Sequence, residues 1–538
     1  MFTRRDAIKF GALGAAFVAL PAQRLLSNPT PAEANVPNQL FTGNETRTGF
    51  TVPAGEVWEF DPNVSTTVTV TGNVVVEGTL RMRPANAGVT HTLRFEGVNE
   101  DDYVGGHTTV PLASDVGLWV TGAGVLDAQG TPRVGWNRTG TDPTWLASDE
   151  LIRAPQAAGD TTTFAPFAKG GTVPSVTGPD GVVYPTEIAN LTRNVRIEGT
   201  PDRRAHIMFL HCTSPQTLRH LAIRWMCPTQ NTGETYLSGG VRVPIDAGVL
   251  GRYALHFHHC GDGTRGTLIE GVVARDLGGT AFVSHLSNGF TYRDCVAYDV
   301  RDAGFWWDPE SETHDITYDR CAVFLVRAIP SFRGNSNRGF NMGEGTGMVA
   351  RNCVAVGVQG SKTGSGGFHW PATANHDNNV WTPFEDNIAH NNRGPGFSTW
   401  QNDDNPHKLE RFVAYNNTIG VSHGAYVNTY TFRDGVTFGS GDTSELDLHA
   451  IGGTLFERVR FYGGTSIVKH GKGSTIPTRF LNCSFTGQIR VAETANAGVI
   501  RFESTSPATD LTPAKFTVIS RLSTITVVNS DGSTFQVV

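Results

Sequence analysis

The chain has 538 residues and a formal charge of -7, with no excess of basic residues to mark a nucleic-acid or anionic-membrane partner. Glycine occupies 62 positions, about 12% against a usual 7% or so, and charged residues only 17%, a profile of turn-rich β architecture. A hydrophobic fraction of 39% argues against a disordered chain, and no apolar run reaches the roughly 18 residues needed to span a bilayer.

Residues 1–34 read as an address. Thr3-Arg4-Arg5-Asp6-Ala7 precedes an uncharged run from Phe10 to Leu20, and Ala32-Glu33-Ala34 offers a small-x-small cleavage site. The pattern resembles a twin-arginine signal peptide and predicts export to the periplasm, cell surface or medium, with no membrane span in the mature protein. Residues 35–138, with alternating stretches such as TTVTVTGNVVVEG and HTLRFEG, predict an N-terminal glycine-rich β domain that caps the remainder of the chain. Residues 139–190 are rich in Thr, Gly, Pro and Asp and predict a long insertion, a length of loop that usually serves a site.

From residue 191 to 490 the chain repeats. EGVVARD, RDCVAYD, DRCAVFL, RNCVAVG, EDNIAHN and ERFVAYN recur at spacings of about 23 to 34 residues. Each is followed by an apolar-aromatic strand such as AGFWWD, RGFNMG, GGFHWP or PGFSTW, with Gly/Asn/Asp turns and no helical period between them. The pattern predicts an all-β fold, a right-handed parallel β-helix. Residues 491–538 predict C-terminal strands, with Asp531-Gly532 as a hairpin turn. The seven cysteines are odd in number and form no CxxC pair, and Cys295, Cys321 and Cys353 fall at one place in the repeat. They read as buried free thiols stacked in the core.

Because side chains alternate across a strand, taking Phe305, Phe340, Phe368 and Phe397 as an inward ladder puts Trp306, Asn341, His369 and Tyr426 outside. Asp308 and Trp400 face the same way two residues on. In RYALHFHHCGD, Leu255 and Phe257 point inward and His256 and His258 outward, about two rungs, on the order of 10 Å, from Trp306 and Asp308. Phe282 joins this outer face from the coil between. Exposed aromatic rings stack on the apolar faces of sugars, and histidines or carboxylates supply acid-base chemistry. The expected partner is therefore a polysaccharide, bound by Arg252, Phe282, Trp306, Asn341, His369, Trp400 and Tyr426.

Two histidines at i and i+2 on a strand can also chelate a transition metal, with His206, His211 and Asp262 as candidate partners of His256 and His258. Metal binding, acid-base contact and a structural role all stay open for them. Asp308, Glu310 and Glu312, in WWDPESE, suit either a calcium ion or a catalytic acid with its partner carboxylate. The cofactor expected is thus a divalent cation, calcium or zinc.

With these residues placed, the chain resembles the family of the cell migration-inducing and cell-surface hyaluronidases, with fibrocystin as a relative. GRYALHFHHCGD is similar to its Gly-Arg-Tyr-Pro-x-His-Phe-His signature, and GAGVLDAQGTPRVGWNRT to the end of its N-terminal β domain. AGFWWDPESETHD and RNCVAVGVQGSKTGSGGFHW resemble two of its later segments. Ala254, Ala303 and Trp307 stand where that family has Pro, His and Glu. The resemblance implies a depolymerase of hyaluronan or a similar uronate-containing glycan, with His206, His211, Arg252, His256, His258, Asp308 and Glu312 as site residues; with the export signal, the expectation is an exported monomer. As a hydrolase it would use Asp308 with Glu312 or Glu310; as a lyase a histidine would take the C5 proton while Arg252 or a cation neutralises the uronate. The three departures favour the alternative of a glycan-binding solenoid without turnover.

Overall fold

Nine successive coils, from the one that starts at Leu268–Glu270 to the one that starts at Thr478–Leu481, each turn on one residue held in a left-handed conformation. In a computed structural model that describes residues 36–538 apart from 239–240, 308–312, 329–336, 344, 361–364, 371–380, 400–405, 425–428, 441–443, 450–451, 468–474, 495–496 and 538, φ lies between 51° and 61° at Gly271, Asp294, Arg320, Asn352, Asp386, Arg411, Asp434, Arg458 and Asn482. Asn and Asp tolerate this region better than other L-residues, which explains the RD, RN and ED dipeptides of the repeat. Each corner keeps its N–H bonded to the next coil, as from Asp294 to the Asp319 carbonyl at 2.9 Å and from Asn352 to the Glu385 carbonyl at 3.1 Å, so no donor is stranded. The residue after the corner points inward, and Cys295, Cys321 and Cys353 stack there as buried free thiols, as do the other four cysteines elsewhere in the core. Asn352→Val should cost about 1–2 kcal/mol in urea unfolding, and Asn352→Gly almost nothing, because only the β-branched side chain clashes in the left-handed region.

Three strands per coil build three parallel sheets, and the fold is an all-β parallel β-helix. One coil runs Leu268–Glu270, Val273–Arg275 and Phe282–Ser287, each strand pairing in parallel with its counterpart in the next coil. The third sheet carries the aromatic ladder: Phe282, Phe305, Phe340, Phe368 and Phe397 stack at centroid spacings of 4.7, 4.8, 4.7 and 5.2 Å, close to the spacing of adjacent strands.

The layer expected to cap the solenoid is its first coils. Gln39–Phe41, Val57–Phe60, Thr79–Met82 and Val125–Gln129 continue the first sheet straight into Thr217–Arg219, and the other two sheets run on in the same way. Asn38 to Val538 is one compact unit. At the far end Phe516–Ser520 still pairs in the third sheet, and Thr524–Val528 folds back on Thr534–Gln536 as an antiparallel pair around Gly532.

Among the described residues, three long excursions leave the coils. The long insertion, between the first and second strands of the fourth coil, packs on the outer face of the second sheet rather than over the histidine-bearing third. Trp136, Ile152, Ala189 and Leu191 cover Val273, Val296, Ala322 and Phe324, and Tyr184 covers Tyr415 and Phe438. Over these coils the sheet is therefore buried on both faces, which is why strands such as Ala322–Arg327 and Val354–Val358 read as continuous apolar runs. The other two excursions, residues 96–116 and the hairpin of Thr229–Ser238 with Val241–Gly248, both leave between the second and third strands of their coils. Residues 96–116 reach the outer face of the third sheet, where Leu112 packs with Trp119 and Met208, and the hairpin meets that segment through Gln230, which donates to the Glu100 and Tyr103 carbonyls.

Candidate functional site

His256 and His258 stand on the outer face of the third sheet, since Leu255 and Phe257, which alternate with them, are wholly buried in the core cluster. The strand register aligns Leu255 with Phe282 and Phe305, His256 with Val283 and Trp306, and His258 with His285. Phe282 is thus a core residue, 1% exposed and stacked on Phe305, and not part of a sugar-binding face. A register shift of one residue exchanges the two faces, and the correct one brings His285 into the His258 column.

His258 Nδ1 lies 3.1 Å from His285 Nδ1, and His258 Nε2 lies 3.0 Å from His107 Nδ1. His259 adds a further ring. Strand alternation would send it to the opposite side from His258, but its φ of 53° reverses the backbone and brings the two rings to 4.3 Å. His107 and His259 are 4.6 Å apart by centroid, and His256 stacks at 5.9 Å on His285. The ligand-capable nitrogens of His107, His258 and His259 lie within 4.8 Å of one another, as do those of His256, His258 and His285. The first group opens to solvent through exposed His107; the second is buried. The Gly251 carbonyl accepts from His256 Nδ1 at 2.8 Å, leaving His256 Nε2 buried without a hydrogen-bond partner. Burial first, and then the neighbouring imidazoles, hold His256 and His258 well below the ordinary histidine range, so both are neutral lone-pair donors at neutral pH.

His107 is delivered by a locked loop. Asp115 accepts from the N–H groups of Val104 and Gly105 at 2.8 and 2.9 Å, and from the Ser114 hydroxyl at 2.6 Å. Arg252 Nε donates to the same carboxylate at 2.6 Å and Arg252 Nη1 to the Gly106 carbonyl at 3.1 Å; both charged side chains are fully buried. Gly105 and Gly106 take φ of 65° and 74°, and a Cβ on Gly105 would lie 2.7 Å from Val249 Cγ1. Arg252, expected to grip a substrate carboxylate, is instead committed to Asp115, 137 residues away in sequence.

The remaining expected residues scatter. His206 is buried against Trp119, its Nε2 3.1 Å from the Asp115 carbonyl, and burial lowers its pKa to about 3; it belongs to neither histidine group. His211 sits at the rim, its Nδ1 3.1 Å from the His259 carbonyl. Asp262 pairs with exposed Arg265 at 2.7 Å rather than with a histidine. Trp306 is half-buried, edge-on to Tyr253 at 5.5 Å, and Tyr253 in turn lies 4.9 Å from His256. Asn341, with its amide oxygen turned toward them, accepts from Trp306 Nε1 and Arg338 Nη1 at 2.9 Å each. Asn341 and His369 lie in the outward columns but are each only 2% exposed, so they are not surface sugar contacts. Asp308, Glu310, Glu312, Trp400 and Tyr426 lie outside the described residues.

Sequence reading missed His107, His259 and His285. SHLSNG carried a signal for His285 once Phe282 is aligned on Phe305; nothing local marks His107.

No protein-family model matches the chain, and no curated protein matches it. Among solved structures it is similar to the tailspike protein gp49 of Pseudomonas phage LKA1, at 12% sequence identity, with 85% of this chain and 69% of that chain covered and a TM-score of 0.23.

Proposed function

We propose that the chain is an exported polysaccharide depolymerase whose substrate is hyaluronan or a similar uronate-containing glycan, worked on at the imidazole face of the third sheet. The observation that carries this reading is the clustering of five histidines, three of them buried, beside the half-buried ring of Trp306 on one outer face of a β-helix. β-elimination needs one proton acceptor, which a ring nitrogen at the open side of the cluster can supply, whereas hydrolysis needs two carboxylates, so elimination suits the described groups better. In elimination an imidazole takes the C5 proton, the electron pair forms the C4–C5 double bond, and the C4–O4 bond breaks, the departing sugar oxygen taking a proton from water.

Size-exclusion chromatography of hyaluronan, chondroitin and bacterial exopolysaccharides, incubated with the purified chain, tests this. Shortened products with the ultraviolet absorbance of an unsaturated sugar, and a loss of rate of about 100-fold or more in His258→Gln protein, are expected. Shortening without unsaturation moves the chemistry to hydrolysis at Asp308, Glu310 and Glu312. Retained binding without shortening leaves a glycan-binding solenoid.

A further inference from the structure

We propose that His107, His258 and His259 form a three-imidazole site for a transition metal of the zinc class, with His285 positioning His258. Resting on the uronate reading, the inference gives the site the positive charge that Arg252 does not supply. A tetrahedral zinc with Zn–N bonds of about 2.0–2.1 Å sets its ligand atoms about 3.3 Å apart. His107 Nδ1 and His258 Nε2 already stand at nearly that separation, 3.0 Å, and all three residues bring a ligand nitrogen within 4.8 Å of the others.

Three features look built for this. The left-handed backbone at His259, a conformation that His211 and His220 also take, here puts two consecutive imidazoles on one side of a strand. The buried Asp115–Arg252 pair fixes the loop immediately before His107, so the third ring arrives on a held backbone rather than a free one. The contact from His258 Nδ1 to His285 Nδ1 turns Nε2 of His258 toward His107, as an outer partner does for a metal-bound histidine. Nitrogen donors without a carboxylate select zinc, cobalt, nickel or copper over calcium. Three protein ligands, one of them exposed, leave a fourth position for water or a substrate carboxylate.

Tag-free full-length protein, incubated with zinc chloride and desalted, should retain one zinc per chain by elemental analysis, and cobalt substitution should give visible absorption bands of a tetrahedral ion. His107→Ala, in an exposed loop residue, should fold normally yet bind zinc more than about 100-fold more weakly, and His285→Gln about 10- to 100-fold more weakly. His314→Ala, a histidine bonded to Thr346 away from the cluster, should leave zinc affinity unchanged. No retained zinc, or wild-type affinity in the His107→Ala protein, overturns the proposal. Stoichiometric zinc with no glycan shortened would sink the depolymerase reading alone; shortening by chain that binds no zinc would sink this proposal alone.

Discussion

Truncation of Asp115 to Ala will destabilise the protein by about 3–5 kcal/mol, the usual cost of stranding a buried charge. Arg252 is fully buried, and its guanidinium has the Asp115 carboxylate at 2.6 Å as its counter-ion. The same truncation removes the acceptor for the Val104 and Gly105 N–H groups. Arg252→Met should cost less, about 1–3 kcal/mol, because the carboxylate it leaves behind still accepts three hydrogen bonds and the methionine refills most of the volume. The double substitution should cost less than the two singles together. Burial pushes the Asp115 carboxyl up, but the bonds from Ser114, Val104 and Gly105 and the charge of Arg252 outweigh it and hold it below the ordinary value. Its contribution is therefore present throughout the neutral range and is lost only as pH falls through that lowered pKa. Urea unfolding gives the energies, and amide exchange at Val104 and Gly105 should rise in Asp115→Ala protein before global unfolding. Equal losses in the two single variants would show that the loop is held by something other than this carboxylate.

The repeating parts of the molecule were legible because each coil states the same physics again. One Phe in each third strand from Phe209 to Phe397, one Asn, Asp, Arg or Gly per corner from Gly271 to Asn482 and a buried residue after it make a pattern that needs no coordinates. The faces of His256 and His258 followed from the same alternation. The site was harder because its groups are exceptions to the repeat. Phe282 heads FVSH, where aligning the histidine of HFH on the phenylalanine slips the register by one and hides His285. His259 faces the cluster only through a left-handed residue, which alternation forbids. His107 and Asp115 come from an earlier coil, 151 and 137 residues from the groups they meet. An Arg directly after glycine and four residues before HFH looks like a substrate clamp until its buried partner is seen. The insertion posed the opposite problem: its composition reads as a long loop, yet its few apolar residues are enough to cover part of a sheet.

Acid should loosen that insertion. Glu187, just before the strand Ile188–Asn190 that leads back to the solenoid, is buried with its Oε2 2.8 Å from His390 Nε2, and Arg138 reaches its other oxygen at 2.8 Å. Burial disfavours the carboxylate, but the His390 and Arg138 charges and their hydrogen bonds prevail and lower its pKa to about 2 from 4.5. A depressed carboxyl pKa means that the unfolded chain binds more protons between these values. The stabilisation, roughly 3 kcal/mol, is therefore complete above about pH 4.5 and drains away as pH falls toward 2. Since the pair ties residues 138 and 187 of the insertion to the second sheet at His390, its loss should expose the insertion before the solenoid core unfolds. Glu187→Gln should reproduce the effect at neutral pH, lowering stability by about 3 kcal/mol and hastening tryptic cleavage after Lys169. The variant's remaining stability should also depend less on pH between about 4.5 and 2 than that of the wild type. If the free-energy difference between the two proteins stays constant from about pH 6 to about pH 2.5, the carboxylate is not what pins the insertion, and the apolar contacts of Trp136 and Leu191 hold it alone.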